Sequence, residues 1–188
     1  MNNGHTTWNR HQEQILKKWS ERAACYHWIH DRSHRIYKAK SRHFAIPVIV
    51  LSTISGTANF AQSSFPEKYK EMLIMFIGGM NLVAGLITTL GQFFRVSELT
   101  EGFRVSAVGF AKLHRNIRTT LSLPVDSRDV EGVVYLDTCR QEYDRLIEHS
   151  PIVPISVIHK FISKFKKYDM TFPEIIDLEP VEICANED

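Results

Sequence analysis

Two long stretches of this 188-residue chain, 44–66 and 72–94, hold no Asp, Glu, Lys, Arg or His. As helices rising 1.5 Å per residue, each is long enough to cross a hydrocarbon core of roughly 30 Å. A soluble domain of this size seldom buries two uncharged runs of that length, so the runs read as membrane spans. Cysteine is scarce: Cys25, Cys139 and Cys184 form no CxxC pair, which argues against a disulfide framework and reads as reduced thiols facing a cytosolic compartment. No Gly-rich phosphate loop follows a strand, and no G-x-S-x-G elbow, H-E-x-x-H or EF-hand loop is present. The sequence therefore gives no catalytic residues, no cofactor and no enzyme class. The first forty residues lack the basic-then-apolar layout of a cleavable signal peptide, so the first span is expected to act as its own insertion signal.

What is present is sharply partitioned. A mean hydropathy of -0.18 and a formal net charge of +2 conceal charges placed almost wholly outside the two runs. Arg32, Arg35, Lys38, Lys40 and Arg42 abut the first run, and Arg95 follows the second. At these positions they suit lipid head groups, and no nucleic-acid fold signature accompanies them. Residues 1–9 read as a frayed polar end. From Arg10 to His43 neither Pro nor Gly interrupts a helical pattern of Ile15, Leu16, Trp19, Ala23, Tyr26, Ile29, Ile36 and Tyr37. That helix is expected either to run on into the first span as one long helix or to bend where the chain meets the membrane; Pro47 lies near the start of the span. Residues 67–71 read as the turn between antiparallel spans. Beyond Arg95, a seam of Val96, Leu99, Phe103, Phe110, Leu113 and Ile117 predicts a helix that pairs with the N-terminal one, interrupted by Ser106. A further helix is expected from Asp126 or Ser127 to His149, and a short basic amphipathic one after Pro154. That last helix suits either a membrane surface or a cap on the bundle, the cap being preferred. An acidic tail, 169–188, reads as disordered.

Within the spans, polar and small residues recur at helical spacing. Ser52, Ser55, Asn59 and Ser63 form one stripe, and Gly78, Asn81, Gly85, Thr88 and Gln92 form the other. Lipid solvates such groups poorly, so the stripes turn inward. Two arrangements satisfy them. In one, the helices of a hairpin approach closely and Asn59 hydrogen-bonds Asn81. In the other, several hairpins assemble and the stripes line a narrow aqueous path. Cys25, His27, His30, Asp31 and His34 cluster on the N-terminal helix. They lack the paired spacing of a zinc site, so no metal is assigned. With His43, these histidines are also placed to sense acid.

The whole layout resembles the SLATT family of two-span membrane effector domains. The resemblance covers roughly residues 15–165. It rests on the basic amphipathic helix, two spans with a short turn, the Phe94-Arg95-Val96-Ser97-Glu98-Leu99-Thr100-Glu101-Gly102-Phe103 helix start, and Glu148-His149-Ser150-Pro151-Ile152-Val153-Pro154-Ile155. It implies pore formation or membrane perturbation, triggered in the family by a linked nucleotide-recognising module. No such module occurs here, as in stand-alone copies from large DNA viruses. The family motif carries no catalytic residue to transfer.

The expectation is thus an all-α membrane protein: a hairpin (44–94) extended into a cytosolic bundle formed by 1–43 and 95–168. Both termini are expected to be cytosolic, because basic residues crowd the side bearing them. The functional expectation is a homo-oligomeric, pore-forming or membrane-perturbing effector. The alternative is a structural membrane anchor or viral membrane protein whose cytosolic bundle docks a partner.

Overall fold

A computed structural model describes residues 8–168 and 170–177. Among them the chain is all-helical, with no strand: α1 (Arg10–Ala61), α2 (Glu67–Phe93), α3 (Val96–Ser122), α4 (Gly132–His149) and α5 (Ile155–Phe165). α1 is one continuous helix of 52 residues with Pro47 inside it. α1 and α2 each hold a stretch long and apolar enough to cross a membrane. The contacts divide the chain into two units: one of residues up to Ser33 and from Phe103 onward, the other of His34–Gly102.

The unit His34–Gly102 is a hairpin. The linker departs from the expected turn. α1 ends at Ala61, a 3₁₀ turn occupies Gln62–Ser64, and residues 67–71 already belong to α2. Proline is the cause. Pro66 has no N–H to continue a helix and holds Phe65 extended (φ -87°, ψ 144°), so α1 cannot propagate through it. Its carbonyl then accepts from Tyr69 N–H at 3.0 Å to start α2. At the other end Arg95 takes φ 48°, a left-handed backbone that separates α2 from α3.

The other unit is a helical bundle. Its core joins Leu16, Ala23 and Tyr26 of α1 to Phe110, Leu113 and Ile117 of α3 and to Cys139, Tyr143 and Leu146 of α4. Tyr26 stacks on Phe110 at 4.9 Å between ring centroids. Ser106, which interrupts the apolar seam in the sequence, is buried. Gly109 admits α4: a Cβ there would lie 2.4 Å from Leu146 Cδ2.

Three expectations are corrected in this unit. The N-terminal end is anchored from Trp8 on. Asn9 Oδ1 accepts from His11 N–H at 3.1 Å while Gln12 Oε1 accepts from Asn9 N–H at 3.0 Å, a reciprocal cap on α1. Trp8 donates to Val130 O at 3.0 Å and lies under the Arg128 guanidinium at 4.3 Å. α4 starts at Gly132, not at Asp126 or Ser127, which sit in a 3₁₀ turn. The intervening Arg128 is buried and donates to Glu13 at 2.6 Å and to Leu123 O at 3.1 Å. These tertiary bonds hold residues 128–131 out of the helix.

The tail is the third correction. Residues 170–177 dock on the bundle instead of lying free. Thr171 donates through N–H and Oγ1 to Glu21 at 3.0 and 2.8 Å. Glu174 accepts from Tyr143 at 2.8 Å, Tyr26 at 3.3 Å and Arg22 at 2.8 Å, and Pro173 is buried. The remaining tail positions, 169 and 178–188, with Cys184 among them, lie outside the described residues.

Candidate functional site: the polar face of the hairpin

The hairpin seam repeats every three and four residues on both helices. On α1 the shielded positions are Phe44, Val48, Leu51, Ser55 and Ala58; on α2 they are Leu73, Ile77, Met80, Ala84, Ile87 and Gly91. Phe44 would meet a Cβ on Gly91 at 3.5 Å, and Ser55 Oγ donates to Asn81 Oδ1 at 2.7 Å, so the helices run antiparallel. The period of 3.5 is that of left-handed helix pairs.

Most residues of the polar stripes fall just outside this seam, while Ser55 lies in it and Ser63 in the 3₁₀ turn. Ser52 and Asn59 each follow a seam residue of α1 by one position, and Gly78, Asn81, Gly85, Thr88 and Gln92 each follow a seam residue of α2. One position is about 100° of rotation. In an antiparallel pair both the facing direction and the sense of rotation reverse, so the two offsets point to the same side. A groove lined by Ala45, Ile49, Thr88 and Gln92 opens on that side. The opposite side carries Met72, Phe76, Gly79 and Val83 in an almost wholly apolar groove. The hairpin thus has one polar, small-residue face and one greasy face.

The two sequence stripes meet the structure unevenly. Only Ser55 is buried; Ser52, Asn59, Ser63, Gly78, Asn81, Gly85, Thr88 and Gln92 are exposed. The expected Asn59–Asn81 bond does not form, because Asn81 pairs with Ser55 across the seam. Close approach through the stripe glycines is also absent, since nothing lies within 4 Å of a Cβ built on Gly56, Gly78 or Gly85, whereas Gly91 packs on Phe44. The hairpin's own seam leaves its polar face unfilled.

The other candidates are distributed differently. Arg95 donates to Glu98 through two nitrogens, one at 2.6 Å, while Lys40 Nζ lies 4.8 Å from the Tyr37 ring centre. Arg32, Arg35, Lys38 and Arg42 lie along α1. The histidines do not converge. His27 Nδ1 faces Ala107 O at 2.9 Å, and in the hairpin unit His34 Nδ1 faces Thr100 O at 3.0 Å. Each bond requires the proton on Nδ1, so these rings tie α1 to α3. His114 bonds back to Ser20 O at 3.0 Å, and the three pairs fall at seven-residue steps on both helices, a regularity invisible before partners are known. His30 stacks on Phe110 at 5.5 Å, and burial pushes its pKa down to about 4. Among the described residues, His43 bonds the Ala39 carbonyl one turn back. Among the described residues, no three His, Cys, Asp or Glu side chains are grouped to hold a metal ion. The Cys25 and Cys139 thiols are buried, which pushes them up to about 12 and about 11.

Comparison with known proteins adds one relative. The chain is 19% identical over 148 residues to uncharacterized protein VP11 of Micromonas pusilla reovirus (isolate Netherlands/2005), covering 78% of this chain and 74% of that protein. No protein-family model matches the chain, and no solved structure matches it significantly.

Proposed function

We propose that this protein is a two-span membrane effector whose hairpins assemble into an oligomer through their polar faces and make the bilayer leaky. The observation that carries this reading is the unfilled polar face, with Ser52, Asn59, Asn81, Thr88 and Gln92 on one side and Gly78 and Gly85 open beside them. In hydrocarbon, Asn59, Gln92 and the Asn81 amide N–H groups, which the Ser55 bond leaves free, need protein or water as partners, whereas Thr88 already bonds the Ala84 carbonyl. A second hairpin supplies protein, and a ring of hairpins supplies a water path. Large side chains elsewhere on the hairpin, such as Met75 at 79% exposure and Leu82 at 76%, suit lipid contact. The resemblance to SLATT domains points the same way, and the reovirus relative is a viral protein. By the positive-inside rule both termini are cytosolic, with the basic block at the head groups. The bundle then faces the cytosol, where it is free to meet a protein partner; no catalysis and no nucleic acid enters the reading.

Liposomes test it. Purified protein, shown to be oligomeric in the membrane, is expected to release a small dye. Gly85→Leu fills the open position on the polar face and is expected to cut release while leaving insertion intact. Silent liposomes at densities where the oligomer is present would reject the pore in favour of the anchor. Release unchanged by Gly85→Leu would remove the polar face from the mechanism.

A further inference from the structure

We infer that α5 and the loop before it form a second, peripheral membrane contact that docks on anionic lipid head groups; this rests on the reading of α1 and α2 as spans. Between Pro151 and Tyr168 the chain carries Lys160, Lys164, Lys166, Lys167 and no carboxylate. α5 uses one side to hold the bundle. Val157 and Phe161 are buried, Phe161 meets the Trp28 ring at 5.6 Å, and Lys164 lies 5.4 Å from that ring's centre. A cap on the bundle needs nothing more from the helix.

The other side is mixed: Ser156, His159 and Ser163 are exposed on it, and so are two large isoleucines. Ile155 is 69% exposed and Ile162 37%, seven residues apart and therefore on one line along the helix, while Ile152 just before it is 93% exposed. Lys166 extends that line and Lys167 follows just beyond the helix, while Lys160 lies about 140° round the helix from Ile155. None of Lys160, Lys166 and Lys167 makes an ion pair among the described residues. Exposed isoleucines with the lysines Lys166 and Lys167 at the end of their line match an interface of acyl chains and phosphates: the apolar side chains enter the head-group boundary and the ammonium groups meet the lipid charge. An acidic protein would satisfy the lysines but leave the three isoleucines without purpose. The two spans keep this surface tethered at a bilayer, so even a weak lipid affinity is enough.

The full chain with Cys184→Ser is reconstituted in neutral phosphatidylcholine vesicles and in vesicles with added phosphatidylserine. An environment-sensitive fluorophore is placed singly at Ile155→Cys, at Ile54→Cys in the first span and at Thr138→Cys on exposed α4. The Ile155 probe is expected to report lipid in the anionic vesicles and water in the neutral ones. High salt should reverse the difference, and lysine replacement (Lys166→Glu, Lys167→Glu) should weaken it about fivefold per lysine. Thr138 should report water throughout. An Ile155 probe that stays aqueous in both vesicles, with Ile54 in lipid, would overturn the docking surface and leave the spans standing. So would an Ile155 probe that responds to poly-glutamate but not to phosphatidylserine. An aqueous Ile54 probe would overturn the spans and this inference together.

Discussion

His30 shows how one side chain sets a local balance. It is only 2% exposed, lies among Tyr26, Phe103 and Phe110, and its Nδ1 has no hydrogen-bond partner. A buried polar atom without a partner costs about 1–3 kcal/mol. The ring must also stay neutral, with its pKa lowered from 6.5 to about 4 by burial. The unfolded chain therefore binds a proton that the folded chain refuses. The contribution is complete above pH 6.5 and is lost as pH falls toward about 4. Its size is on the order of 3 kcal/mol. His30→Phe keeps the stack and removes both burdens. Denaturant titration in detergent is expected to show a gain of about 1 kcal/mol near neutral pH. The slope of stability between pH 6.5 and 4 should flatten. An unchanged slope would mean that other groups govern acid sensitivity. This also revises the acid-sensing reading of the N-terminal histidines, because His30 resists the proton that such a sensor must take up.

At the scale of elements, two kinds of glycine separate. Gly109 is where α4 meets α3, and a methyl group there collides with Leu146. Leu146 is itself a buried core residue, so it has little room to swing away. Gly109→Ala is expected to destabilise the bundle by about 1–3 kcal/mol, read from the chemical denaturation midpoint. Gly78→Ala fills open space instead, and its folded monomer should keep wild-type stability. A mild Gly109→Ala would mean that α4 adjusts freely against α3. The docked segment 170–177 belongs to this scale too: it satisfies Glu21, Arg22, Tyr26 and Tyr143 from a stretch whose composition alone reads as unstructured.

For the whole molecule, the proposed topology has a direct test. With Cys184 replaced, Ser64→Cys in the inter-helix turn is expected to react with an impermeant thiol reagent from outside the cell, and Thr138→Cys is expected not to. Both positions are exposed, so protection reports sidedness. Native Cys139 is a poor reporter, since it is 4% exposed and shielded on either side. Reversed labelling would invert the topology. It would also move the basic block at Arg32, Arg35, Lys38, Lys40 and Arg42 to the far side, against the positive-inside rule.

The helices themselves were legible in the residue order. Uncharged runs, three-and-four periodicity and the stop at Ser150-Pro151 are local properties, and α1, α2 and the end of α4 follow from them. The polar stripes were legible as stripes for the same reason. What residue order left open was rotation: whether Asn81 meets Asn59 or Ser55, and whether the stripes point at each other or share one side. That depends on the register of one helix against another, which the packing of every seam residue sets together. Arg128, Trp8 and Glu174 escaped for a related reason. Their distant partners lie 31 to 152 residues away, beyond the reach of any local pattern. Only the folded chain brings such groups within hydrogen-bond distance. Their desolvation and pairing energies then decide that a polar end, a loop and an acidic tail become parts of the bundle.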